Sequence, residues 1–179
     1  MKKAVFIVFF TSFMAVSQSC ENSYAIYSDR YRVNFVFDSG KPPYNAVTSM
    51  GTFISVRCSG AELVVTDADR KVTRWPMSEP ELRSFMFGDG GLIVGTPSLD
   101  NDHCQVYAYD LACPICDDSS SKLSRLGFGT VGVAECPTCH AKYDLNNNGF
   151  VISAGDKDKA RPLYRYPVSQ SGQIVSIAN

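Results

Sequence analysis

The sequence predicts an all-β fold, an antiparallel sandwich or barrel, for most of its 179 residues. Three observations predict it. Residues 31–37 place large apolar side chains at every second position, which is the period of a half-buried strand. Further short apolar runs follow at intervals of about 8 to 12 residues, separated by turn-forming residues. Helical spacing of apolar side chains is evident in one segment, residues 76–87.

The individual strands follow from the same patterns. The first strand places Val33, Phe35 and Phe37 on one face. Residues 52–58 and 62–66 are expected to form a hairpin around a Ser-Gly turn. The remaining strands are predicted at residues 71–75, 91–95, 105–109, 141–145, 150–153, 163–168 and 173–177.

Two Cys-Pro-x-Cys turns are the strongest chemical signal in the chain. Cys113 and Cys116 belong to the first turn, Cys136 and Cys139 to the second, and 19 residues separate the two turns. Two such turns, face to face, supply four sulfurs in a tetrahedron, the geometry of structural zinc or of a rubredoxin-type iron. The spacing lies within the range of four-cysteine zinc sites. The sequence therefore predicts a small rubredoxin-like or zinc-ribbon-like metal-binding subdomain at about residues 111–145.

Two other uses of these cysteines stay open. In an oxidising compartment the four could form disulfides, within each turn or between the turns. Cys136, Cys139 and His140 also spell Cys-x-x-Cys-His, the signature of covalent haem attachment. Haem motifs of this kind open a helix, whereas the residues that follow here predict strand and turn.

The N-terminus has the pattern of an export signal. Two lysines precede an apolar run that is too short to span a bilayer permanently, so residues 1–19 are expected to be a signal peptide. Cys20 ends a loose version of the bacterial lipobox and is expected to carry a lipid anchor; cleavage after Ala25 is the alternative. Residues 20–30 are then a tether, and residues 31–179 form the domain.

Two further cysteines have two possible roles. Cys58 and Cys104 are either a disulfide or two buried small hydrophobic residues.

The remaining composition excludes other classes of function. The chain has 17 basic and 18 acidic residues without a basic patch, so no nucleic acid partner is expected. With two histidines, His103 and His140, the chain has little material for a histidine-based nucleophilic site, and we expect a carrier or binding protein rather than an enzyme.

The chain from residue 106 to its end resembles a Rieske domain in the order of its motifs. The residues that carry the resemblance are Tyr-Ala-Tyr-Asp at 107–110, Cys-Pro-Thr-Cys-His at 136–140, Tyr-Asp at 143–144, the glycine at 149, Ser-Ala-Gly at 153–155 and Pro-Leu-Tyr-Arg-Tyr-Pro-Val at 162–168. The resemblance implies a small antiparallel β-sandwich that the strands from residue 31 onward complete. It also implies a metal centre used in electron transfer.

The predicted ligands differ from those of the Rieske family. A Rieske centre has two cysteines on one iron and two histidines on the other. Cys113 and Cys136 match the cysteines, whereas Ile115 and Cys139 stand where the histidines would be. The resemblance therefore implies a four-cysteine site that holds a [2Fe–2S] cluster, a single iron or zinc. Within the family, the chain resembles the exported, lipid-anchored lipoproteins that have altered ligands. This resemblance implies a redox partner in the cell envelope. The alternative is a non-redox envelope protein in which zinc or disulfides hold the two cysteine turns together.

Overall fold

The computed structural model describes residues 27–98, 105–119, 125–128, 132–154 and 160–179. The predicted signal peptide, Cys20, His103 and Cys104 lie outside these ranges. Within them, fourteen strands form three antiparallel sheets, and the helices are short. The all-β prediction is confirmed.

The strands are β1 (Val33–Asp38), β2 (Thr52–Ser59), β3 (Glu62–Thr66), β4 (Val72–Pro76), β5 (Met86–Phe87), β6 (Leu92–Thr96), β7 (Tyr107–Asp110), β8 (Gly127–Phe128), β9 (Val133–Glu135), β10 (Lys142–Asp144), β11 (Phe150–Ser153), β12 (Arg165–Tyr166), β13 (Val168–Ser171) and β14 (Ile174–Ala178). The helices are a 3-10 helix at Tyr44–Thr48, α1 (Glu79–Ser84) and α2 (Pro114–Ser119).

Two of the sheets form a sandwich. A four-stranded sheet in the order β13-β14-β1-β5 packs on a six-stranded sheet in the order β12-β7-β6-β2-β3-β4. The predicted inward face of β1 is confirmed, because Val33, Phe35 and Phe37 are buried while the residues between them are exposed. From the six-stranded sheet, Ile54 and Val94 enter the same core. The apolar alternation of these strands thus accounts for the sandwich.

The six-stranded sheet is buried on its second face as well. Phe53 and Ile93 alternate with the sandwich residues of β2 and β6, and they pack against a third sheet in the order β11-β10-β9-β8. Tyr143 and Leu145 of this third layer are fully buried in the contact. The chain enters the layer after β7 and leaves it before β12, and these two strands pair with each other, with Tyr109 opposite Arg165. We call this third layer the metal layer, because it contains both cysteine turns.

One predicted strand, residues 163–168, is two strands in two different sheets. β12 pairs with β7, whereas β13 pairs with β14 on the opposite side of the sandwich. Pro167 lies between them, and its missing N–H prevents a continuous ladder at this point. The chain therefore crosses from one sheet to the other at this proline.

The predicted helix at residues 76–87 is shorter than expected. α1 ends at Ser84, and β5 follows it and pairs with β1. Phe85 and Phe87 point to the sandwich core, with ring centres 5.3 and 5.1 Å from that of Phe35. Packing of these two rings in the sheet outweighs the helical spacing that predicted a longer helix.

A second helix, α2, was not expected from the apolar pattern. It begins at Pro114, immediately after Cys113. Proline is favoured at the first position of a helix because its missing N–H has no helical partner there. The Cys-Pro order of the turn was therefore a signal for this helix.

The last part of the predicted tether contacts the domain. Ser28 N–H donates to the carbonyl oxygen of Arg165 at 2.8 Å, and Asn179 Nδ2 donates to the carbonyl of Ser28 at 2.9 Å. Backbone pairing thus holds the last part of the predicted tether, residues 27–30, against the domain. Among the residues described, no helix is long and apolar enough to cross a membrane.

The start of α1 gives a test of helix capping. Ser78 donates to Glu81 Oε2 from its backbone N–H and from its hydroxyl, both at 2.7 Å, and these bonds lower the pKa of Glu81. Glu81→Ala is expected to lower the free energy of unfolding by about 1 kcal/mol at pH 7. Because the folded-state pKa is lowered, this stabilisation is fully present above the ordinary glutamate pKa of 4.5 and is lost as the pH falls from there through the folded-state pKa.

Urea unfolding at pH 7 and pH 3 measures both parts of this prediction. Glu79→Ala is the control, since Glu79 lies in the same helix turn and forms only an exposed pair with Arg83 at 3.6 Å. An equal effect of the two substitutions, or an effect of Glu81→Ala that persists at pH 3, would contradict it.

Candidate metal centre

A buried carboxylate anchors the chain where it enters the first cysteine turn. Asp110, the last residue of β7, is 0% exposed. It accepts hydrogen bonds from the N–H groups of Asp89 (2.8 Å), Gly90 (3.0 Å) and Ala112 (2.7 Å), and from the Tyr166 hydroxyl (2.7 Å). Burial raises the pKa of Asp110, and the four hydrogen bonds oppose this rise. The network fixes the backbone three residues before Cys113.

The first turn then places its two sulfurs through α2. Cys113 precedes the helix and Cys116 lies within it, so both side chains emerge on the side that faces the third sheet. Both residues are buried, and Ile115 between them packs in the same cluster. Isoleucine at this position acts as a core residue.

The second turn is the hairpin between β9 and β10. Cys136 N–H donates to the carbonyl of Ala141 at 2.9 Å, and His140 N–H donates to the carbonyl of Cys136 at 2.9 Å. His140 closes the turn in the left-handed region, with a φ of 57°. The Cys136 sulfur accepts from the N–H groups of Thr138 (3.4 Å) and Cys139 (3.5 Å). Such bonds stabilise negative charge on sulfur.

The structure brings the four predicted sulfurs together. The Sγ atoms of Cys113 and Cys139 are 3.6 Å apart, as are those of Cys116 and Cys136, and all four lie within 4.8 Å of one another. Three of the residues are buried, and Cys139 is partly exposed. The four are free cysteines, with sulfurs well beyond the disulfide length of about 2.05 Å. Burial raises the pKa of Cys116 and raises that of Cys139 to about 11.

Tyr143 contacts the sulfur cluster, and the cysteine spacing did not indicate it. Its side chain is fully buried in the metal layer, and its hydroxyl lies 3.4 Å from the Cys113 sulfur. Burial raises the pKa of Tyr143, so the phenol keeps its proton and is the donor toward a thiolate. The hydroxyl thus adds a hydrogen bond at Cys113 to those that the Cys136 sulfur accepts from backbone N–H groups.

The haem alternative does not match this geometry. Cys136, Cys139 and His140 lie in a strand-to-strand turn rather than at the start of a helix. The Cys136 side chain is 0% exposed, and its sulfur points to Cys116 rather than to a surface where a macrocycle could lie. His140 points outward, with Nδ1 3.8 Å from Glu135 Oε1, and is not part of the sulfur cluster.

The other predicted cysteine sites are only partly within the described residues. Cys58 is exposed, and its sulfur lies 3.1 Å from the carbonyl oxygen of Gly60. The interpretation of Cys58 as a buried small hydrophobic residue is therefore wrong. Its disulfide with Cys104 stays a prediction because Cys104 lies outside the described ranges, and the same holds for lipidation of Cys20.

Comparison with known proteins adds little to this description. No protein-family model and no curated protein matches the chain. A ferredoxin of Sphingomonas yanoikuyae B1 is similar in part, with a TM-score of 0.35 and 18% identity over 68% of this chain and 88% of that chain. A TM-score this low carries no argument about function, and the Rieske resemblance still depends on the sequence motifs alone.

Proposed function

We propose that Cys113, Cys116, Cys136 and Cys139 bind one metal ion. The observation that carries the proposal is that their four sulfurs lie within 4.8 Å of one another in a largely buried cluster. Thiolates at about 2.3 Å from a common centre form a tetrahedron with edges of about 3.8 Å. The separations of 3.6 Å between the two closest pairs fit this geometry.

The same distances favour a single ion over a [2Fe–2S] cluster. In such a cluster each iron holds two of the four protein ligands, and bridging sulfides lie between the irons. Ligands of different irons are therefore farther apart than ligands that share an ion. The four sulfurs are not divided into two distant pairs, because even the sulfurs of different close pairs lie within 4.8 Å of one another.

The proposed role is electron transfer. Iron in a four-thiolate site supplies a one-electron redox couple, and the chain supplies the ligands and keeps water from three of the four sulfurs. Cys139 is partly exposed, and its neighbours Thr138 and His140 are exposed. This edge of the site is where a redox partner would approach.

The proposed location is the bacterial cell envelope, with the chain anchored through a lipid on Cys20. The export pattern of residues 1–19 and the lipobox-like sequence support this location, and the Rieske-like motifs support an exported lipoprotein of that type. Cys20→Ser should move the protein from the membrane fraction to the soluble envelope fraction. Membrane attachment that survives this substitution would overturn the anchor.

A structural role for the metal is the second candidate function. The strands of the metal layer, β8 to β11, have only two to four residues each. Strands this short bury little apolar surface, and small layers of this kind commonly depend on a closed metal site. Zinc in the four-cysteine site would then hold α2 and the β9–β10 hairpin together without redox chemistry.

Metal analysis of anaerobically purified protein separates these functions. We expect one metal ion per chain and no acid-labile sulfide. Iron with a visible absorption that bleaches on reduction supports electron transfer, whereas colourless protein with one zinc supports the structural role. Two irons with two sulfides per chain would overturn the single-ion proposal, and protein that binds neither metal would overturn both candidate functions.

Tyr143→Phe tests the hydrogen bond to Cys113 in the iron form. Loss of a donor to a thiolate ligand destabilises the more negative reduced state, so the midpoint potential should fall. Protein-film voltammetry measures the change, with Tyr27→Phe as control because Tyr27 is exposed and lies beside Arg165, away from the cysteines. A potential that is unchanged or higher in Tyr143→Phe would contradict this assignment.

A further inference from the structure

The metal layer covers only part of the sheet face on which it packs. Phe53 of β2 is covered, whereas Ser55 and Arg57, two and four residues further along the same face, line an open groove. The facing wall is formed by the metal layer, including Arg125 and Leu126. The groove has a volume of about 920 Å³, in the upper part of the range of about 300 to 1,000 Å³ for small-molecule sites.

Three arginines from three separate segments meet at this groove. They are Arg57 of β2, Arg70 in the turn after β3, and Arg125 beside β8, and we call the site the arginine groove. Arg57 and Arg70 form no ion pair within the described ranges. Arg125 is oriented by a bond from Nε to the neutral carbonyl of Gly90 at 2.9 Å, and it too forms no ion pair with the residues that the structure describes.

The two acidic residues of the groove have partners of their own. Glu135 lies 3.6 Å from Lys142 Nζ, which stands outside the groove lining. Asp67 Oδ1 accepts the backbone N–H of Lys71 at 2.8 Å. The groove therefore holds more positive than negative charge, and guanidinium groups match the planar oxygens of carboxylate and phosphate groups.

The lining of the groove also includes apolar side chains. Leu111, Leu126 and Val133 line it, together with the exposed side chain of Val72 on β4. An inorganic ion would leave this surface uncovered. We infer that the arginine groove binds a small organic anion, one with an apolar body and a carboxylate, phosphate or sulfonate head.

The test uses two probes that differ in a single group. Anilinonaphthalene sulfonate has an apolar body and an anionic head, and N-phenyl-1-naphthylamine is the same body without the sulfonate. Titration calorimetry on the intact, metal-loaded protein should show one sulfonate probe bound per chain, with affinity about tenfold above that of the neutral probe. The affinity of the sulfonate probe should fall as the salt concentration is raised from 50 to 500 mM, because this change shortens the Debye length from about 14 to about 4 Å.

Substitutions locate the probe. The double variant Arg57→Gln/Arg70→Gln is expected to weaken sulfonate binding about tenfold or more. Arg74→Gln is the matched control. Arg74 lies on β4, the strand that follows the turn with Arg70, but it is not part of the groove lining, and it pairs with Glu62 at 3.1 Å. Val72→Glu places a negative charge on an exposed position of the groove wall, and it should weaken the sulfonate probe while the fold is retained.

Three results would overturn the inference. They are equal affinity for the two probes, sulfonate binding that survives the double substitution, and the same loss in Arg74→Gln as in the double variant. The metal content of each variant, measured alongside, should stay at the wild-type value, so that failure here is distinguishable from failure of the metal proposal.

Discussion

Replacing Cys136 by serine is expected to remove the metal and open the metal layer. The Cys136 side chain is 0% exposed and lies in the same cluster as Ala134, Tyr143 and Leu145. A serine hydroxyl is a poor ligand for a soft metal ion, and without the ion the three remaining thiols lose their common centre. The metal-to-protein ratio should fall from about one to near zero, and hydrogen exchange in β8 to β11 should become fast while β1 and β14 stay protected.

Cys58→Ser is the control for this experiment, since Cys58 is exposed and is not one of the four clustered cysteines. It removes a cysteine without touching the sulfur cluster, so metal content and exchange should equal those of the wild type. Full metal content in Cys136→Ser would refute the assignment of the ligands.

Replacing Asp110 by alanine should be the most destabilising change outside the cysteines. The substitution leaves the buried N–H groups of Gly90 and Ala112, the part-buried N–H of Asp89 and the buried Tyr166 hydroxyl without an acceptor. Unsatisfied buried donors cost about 1 to 3 kcal/mol each, and removing one member of a buried charged network costs about 3 to 5 kcal/mol. We expect a loss of about 4 kcal/mol in the free energy of unfolding, measured by denaturant titration of the metal-loaded protein.

A graded series makes this prediction specific. Asp110→Asn keeps the oxygen that accepts from Gly90 and Ala112, and it should lose about half as much stability. Tyr166→Phe removes one donor and keeps the carboxylate, so a loss of about 1 kcal/mol is expected. A loss in Asp110→Ala together with almost none in Asp110→Asn and Tyr166→Phe would show that side-chain volume, rather than the hydrogen bonds, decides the stability at this position.

Much of the fold was predictable because strand periodicity is a local property. The inward face of β1 and the β2–β3 hairpin follow from side chains that alternate every second residue. The two cysteine turns were predictable for a similar reason, since the spacing within a turn decides whether two sulfurs can point to one centre. These features depend on residues that are close together in sequence.

Features that depend on distant partners were not predictable. The hydrogen bond between Tyr166 and Asp110 joins residues 56 positions apart, and no spacing rule connects them. The division of residues 163–168 between two sheets depends on which strands lie alongside, so the proline alone did not indicate it. Likewise, the arginine groove brings together residues of β2, of the β3–β4 turn and of the metal layer, which are far apart in sequence.

The pairing of β7 with β12 has a consequence for how this architecture can change. These strands are neighbours in one sheet although the whole metal layer separates them in sequence, so the layer is an insertion between two strands that could be joined by a simple turn. A protein could exchange or lose such an insertion while the sandwich persists, provided that small or polar residues replace Phe53, Ile93 and Tyr109 on the face that would be uncovered. The metal layer is thus a separable module, and Phe53, Ile93 and Tyr109 form the surface on which it packs.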